Sequence, residues 1–198
     1  MKTSTSRALS RLSLALVAIV VTLTASSQVQ AAPTVRLFGG LTSVELSADL
    51  VGALGTLNLS PGAIEPGALR EGVVRFPISG GGIDQANLSG DIFHVGGLSL
   101  TSADGTIVEL FNFMLGTLGE QPVLTGLVAV NGDLAGRISL FNLSLANAQV
   151  EWQPFTLTIQ GVAASLTVDA ANALNAAFGV EAFVEGFNVG VATVFALF

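Results

Sequence analysis

The sequence predicts a mainly β fold: an antiparallel β-sandwich, or a partly open barrel, of about eight or more strands with two short helices. Three observations carry this. Short apolar runs rich in Val, Leu, Thr and Phe are broken at intervals by Gly and Asn, the pattern of strands joined by tight turns. Phe155, Leu157 and Ile159 alternate with Thr156, Thr158 and Gln160, a period of two that marks a strand with one buried face. Asp104-Gly105 stands between two apolar runs, a strong short-range hairpin signal.

Taken in order, the chain opens on an expected export signal. Lys2, Arg7 and Arg11 precede the apolar run Leu12 to Ala25, and Val29-Gln30-Ala31 gives a small-residue exit before Ala32. That run is shorter than the roughly 20 residues a membrane span needs. Cleavage after Ala31 leaves residues 32–198, a chain of 167 residues expected to form a single β-rich domain. Strands are expected over 35–46, 72–78, 91–101, 106–115, 123–131, 136–145, 154–167 and 187–197. Pro61 to Pro66 and Gly80-Gly81-Gly82 read as loops inside this unit.

Two stretches break the β pattern. From Leu46 to Gly55, Ser47 stands as an N-cap, Asp49 falls in the first turn, and Gly55 ends the run. From Leu166 to Gly179, Thr167 is the matching cap, and Ala171, Leu174 and Phe178 recur at helical spacing. The two share Leu-Ser/Thr-x-Asp-x-x-x-Ala-Leu, and each is expected to close an end of the β structure, with Leu174 and Phe178 buried. A second echo pairs Leu110-Phe111-Asn112-Phe113-Met114-Leu115 with Leu140-Phe141-Asn142-Leu143-Ser144-Leu145. Apolar parity switches inside both copies, which fits a β-bulge or a strand buried on both faces. At Gly96-Gly97, a glycine bulge would bring Phe93, Val95, Leu98 and Leu100 onto one inward face and turn His94 outward to solvent.

Charge narrows the partners. The expected mature chain keeps four arginines, Arg36, Arg70, Arg75 and Arg137, no lysine, and all fourteen carboxylates, a net charge of −10. So few cations argue against nucleic acid and anionic lipid as partners. Cysteine is absent, so no disulfide framework holds the domain, and a bacterial exported protein relying on its core is expected. Three Asn-Leu-Ser triplets, at Asn58, Asn87 and Asn142, read as turn and strand residues.

No catalytic pattern emerges. One histidine and no cysteine leave no zinc-ligand spacing. His94 has no Gly-x-Ser-x-Gly elbow to serve. A single tryptophan, Trp152, and no tyrosine supply a sugar-stacking cleft poorly, although fourteen acids offer many carboxylate pairs. Gly80-Gly81-Gly82-Ile83-Asp84 lacks the Lys-Ser/Thr of a phosphate loop. Asp84, Asp91, Asp104 and Asp133 each lie close to a glycine, which turn chemistry explains without calcium. No catalytic or metal-ligating residue is therefore expected, and no enzyme activity.

The order Gly90-x-Ile92-x-His94-x-Gly96-Gly97-Leu98-x-Leu100, a short turn, then Val108-x-Leu110-x-Asn112-Phe113 resembles the core hairpin of the HtaA family of secreted bacterial haem-uptake domains. Leu166 to Gly179, followed by Phe183 and Gly190-Val191-Ala192-Thr193-Val194, is similar to exported bacterial β-domains. The resemblance spans residues 70–198. It implies antiparallel sheets with short helices. It also implies haem as a candidate cofactor, with His94 as axial ligand and phenylalanines against the porphyrin. Haem ligation in that family leans on tyrosine, which this chain lacks.

The expected function is an exported, secreted, periplasmic or cell-surface module. It is non-enzymatic, needs no cofactor, and acts as a structural element or binds a small ligand or surface partner. Haem binding through His94 is the first alternative. The second is an outer-membrane barrel, suggested by the terminal Phe198 after an alternating run. Bulky Phe195 and Leu197 lie on the face opposite Phe198, and aromatic girdles are lacking, so membrane insertion is not expected.

Overall fold

A computed structural model describes residues 33–118 and 121–198; the expected export signal lies outside them. The elements follow as β1 (Thr34–Leu37), β2 (Gly39–Leu46), α1 (Ala48–Thr56), β3 (Ser60–Ile64), β4 (Ala68–Arg70), β5 (Val73–Asp84), β6 (Gly90–His94), β7 (Gly97–Thr101), β8 (Ile107–Gly116), β9 (Val123–Val130), β10 (Asp133–Ser144), β11 (Gln149–Gln153), β12 (Thr156–Leu166), α2 (Val168–Phe178) and β13 (Asn188–Leu197).

The sheet is antiparallel and closed. Eight strands run round it in the order β5-β2-β13-β12-β10-β9-β8-β6, and β6 completes the ring by pairing with both β5 and β8. The fold is thus the barrel rather than two stacked sheets, and the barrel is shut rather than partly open. Five strands lie outside the ring: β1 and β4 on β5, β7 on β8, β3 on β7, and β11 on β12.

Strand β5 makes closure possible. Its first half pairs with β2 through Val73 to Pro77, and its second half pairs with β6 through Ile78 to Ile83. Gly80-Gly81-Gly82 is therefore strand, not the expected loop. Gly81 has φ +146°, and a Cβ there would stand 2.3 Å from the Asp91 carbonyl oxygen, so only glycine lets β6 approach. Pro61 to Pro66 also differs from expectation. Its first part belongs to β3, which pairs with β7 alone, and such an edge position tolerates proline.

Inside the ring, Leu, Ile, Val and Phe side chains form one continuous core. The parity switch in β8 is a bulge: Val108 and Leu110 are buried before it, Phe113 and Leu115 after it, and the register slips between Phe111 and Met114. Its echo in β10 slips between Ser139 and Phe141, taking burial from Leu140 to Leu143.

Around Gly96 the expectation is reversed. Ile92 and His94 are buried, whereas Phe93 and Val95 are exposed. No parity change occurs: Ile92, His94 and Leu100 all face the interior. Gly96 instead bends the chain, with φ +83° and room for no Cβ, since one would meet the Gly67 amide nitrogen at 2.3 Å. Outward Phe93 borders a surface cleft with Phe38 and Arg36.

Both helices form where expected. Ser47 Oγ accepts from the Leu50 amide and Thr167 Oγ1 from the Ala170 amide. Each cap hydroxyl also donates to a neighbouring strand, Ser47 to the Asn188 carbonyl and Thr167 to the Ser139 carbonyl. β2 and β12 are both antiparallel to β13, which lies between them, so they run in the same direction. The helices that follow them therefore stand at the same end of the barrel. Leu174 is buried; Phe178, expected to be buried, is only partly buried on the last turn of α2, where it packs against the core.

Candidate functional site

The end of the barrel beneath the two helices encloses a cavity of about 390 Å³. Its walls come from every layer of that end: Val44 and Leu46 of β2, Leu50 and Leu54 of α1, Leu98 and Leu100 of β7, Val128 and Val130 of β9, Ala173 and Leu174 of α2. Phe76 and Phe113 also line it, their rings meeting edge to face with centroids 4.9 Å apart. Every lining side chain is aliphatic, proline or phenylalanine. Pro61, Ala135 and Ala176 belong to the lining and are exposed, which puts the cavity mouth between β3, the start of β10 and α2.

An apolar hollow of this size falls within the usual range of small-molecule sites, about 300–1,000 Å³.

His94 lies beyond the cavity. Along β2, the lining residues Val44 and Leu46 stand toward the helices, and Thr42 is the next inward residue away from them. Thr42 Oγ1 and His94 Nε2 are hydrogen bonded at 2.7 Å, tying β2 to β6 inside the ring. The imidazole is 1% exposed. Burial pushes its pKa down to about 4, against a small upward pull from the Phe113 backbone. That backbone lies near the ring without reaching hydrogen-bond geometry, so Nδ1 is left without a partner. His94 is accordingly a neutral interior residue, not the solvated outward one expected.

This geometry does not suit haem ligation by His94. One ring nitrogen is held by Thr42, the other is sealed against the protein interior, and neither opens into the cavity. The cavity lining offers no other donor to an iron and no cation to a propionate.

The acidic residues considered for calcium do separate work. Asp84 accepts from the Ala86 and Asn87 amides, and Asp104 from the Ser102 hydroxyl and the Thr106 amide, in two different turns. The Ser102 hydroxyl, then Thr106, holds the Asp104 carboxyl below its ordinary range. Asp91 pairs with Gly116 across the β6–β8 seam, and Asp133 opens β10. Among the described residues, no group of three or more His, Asp or Glu could hold a metal ion. Sequence reasoning missed the cavity altogether. Its only legible trace is the alanine content of α2, whose small side chains leave space under the helix.

No protein-family model and no curated protein sequence matches this chain. Solved structures do. The C-terminal domain of HtaA from Corynebacterium glutamicum is 15% identical with a TM-score of 0.65, over 82% of this chain and 98% of that one. The N-terminal domain of HtaA from the same organism is 13% identical with a TM-score of 0.59, over 81% and 97%. The heme binding protein HtaB, again from that organism, is 10% identical with a TM-score of 0.53, over 83% and 96%. The fold is HtaA-like.

Proposed function

We propose that this HtaA-like barrel is an exported, non-enzymatic module that binds one small molecule in the cavity beneath its two helices. The cavity carries this reading. Its walls are contributed by strands and by both helices, and an apolar hollow of that size has the dimensions and lining of a small-molecule site. Absence of a catalytic cluster in the sequence, and of a metal-holding group among the described residues, supports binding over catalysis. His94 serves as an interior tie to Thr42 rather than as a site residue.

Export is supported by the basic start, the Leu12 to Ala25 run and the exit before Ala32. No helix among the described residues is long and apolar enough to cross a membrane. The barrel itself also argues against the outer membrane. Its interior is apolar, while Glu45, Arg75, Glu109, Arg137 and Gln160 lie off its buried face, the inverse of the polar lumen and apolar outer band of a transmembrane barrel.

The test is native mass spectrometry on protein isolated from its exporting host without detergent. The expected result is a chain beginning at Ala32 with one small molecule bound. A full-length cytoplasmic chain without any bound species would overturn the proposal. Haem is supported by likeness to a protein described as heme binding and opposed by the enclosure of His94. Haemin titration should give no saturable Soret shift that disappears in His94→Ala; a one-to-one shift lost in that variant would install haem as the ligand.

A further inference from the structure

The walls of the cavity specify what it admits. We infer that it takes an uncharged, lipid-like small molecule through the mouth between β3, β10 and α2; this rests on the binding reading above. No lining side chain carries a hydrogen-bonding group, so a carboxylate or phosphate would lose its water without a replacement partner. The domain has four cations, Arg36, Arg70, Arg75 and Arg137, and none lines the cavity. Its excess of carboxylates adds a field that repels anions. None of the buried polar side chains lines the cavity: Thr42 and His94 are bonded to each other, and the Thr167 hydroxyl is taken by the Ser139 carbonyl and the Ala170 amide. At the mouth, exposed Ala135 and Ala176 stand where larger apolar residues would seal the opening. An alcohol whose hydroxyl is drawn into the apolar mouth gives up far less hydration than a carboxylate there, and it meets no repulsion from the acidic surface.

The experiment uses the purified protein and the neutral fluorophore phenylnaphthylamine. Saturable enhancement at one site is expected, with dodecanol displacing the probe at least about tenfold better than dodecanoate. Ala173→Phe fills the cavity under α2, and Ala135→Trp crowds the mouth from an exposed position. Both should weaken probe binding by about tenfold or more, with the far-UV spectrum unchanged. If Ala173→Phe fails to fold, Ala135→Trp carries the test. Equal displacement by dodecanoate, or undiminished binding in the variants, overturns the inference. If a charged or polar molecule co-purifies and both substitutions weaken its binding, the cavity reading stands and only the ligand class falls. If nothing co-purifies and the probe does not bind, both fall together.

Discussion

His94 sets the acid limit of the fold. Buried and held near pKa 4, it is neutral in the folded protein, while the unfolded chain takes up its proton near the ordinary value of about 6.5. Between those values the unfolded state binds more protons, so stability is lost as pH falls through that window and levels off below it. The loss should be about 3 kcal/mol. Urea midpoints measured above and below the window should show it in the native protein, and His94→Leu should remove that part of the acid sensitivity. Thr42→Val should cost about 1–3 kcal/mol, since it leaves both ring nitrogens without partners. None of this was legible locally. Phe93 and Val95 outweigh their neighbours as core candidates, and the partner that draws His94 inward lies 52 residues away.

At the level of elements, the caps and the helix packing are open to measurement. Ser47→Ala and Thr167→Ala should each cost about 1–2 kcal/mol in thermal or urea unfolding. Thr167 should be the larger, because it is buried, whereas the equivalent bond from Ser47 to the Asn188 carbonyl is exposed to water. Leu174→Ala should cost about 2–5 kcal/mol, whereas Phe178→Ala, at a partly buried position, should fall below the about 3–5 kcal/mol of a fully buried phenylalanine. Both helices were readable because capping chemistry is local; the parity switches in β8 and β10 were also local, but parity alone left a bulge and a strand buried on both faces as equal readings, and the partner register decides for the bulge. β3, β4 and β11 were not. They are short strands outside the ring with mostly exposed residues, so no alternation of buried and exposed positions marks them. The cavity escaped for a different reason: an apolar residue facing a hollow looks the same in sequence as one facing a packed core.

For the whole molecule, the class and most strand positions follow from periodicity, but closure does not. It depends on β5 dividing its length between two partners and on β6 spanning the gap, through glycines that read as a loop. β6 pairs with β8 through only Asp91↔Gly116, Ile92↔Leu115 and Phe93↔Met114. Hydrogen exchange should therefore find faster opening at this seam than between β12 and β13, which share eight aligned pairs. β13 carries another consequence, one of timing. It lies between β2 and β12, so β2, which has β5 on one edge early, waits for residues 188–197 to cover the other. Contacts of such sequence separation fold slowly. Ring closure therefore follows the arrival of residues 188–197, and until then β2 and β12 each keep one strand edge uncovered.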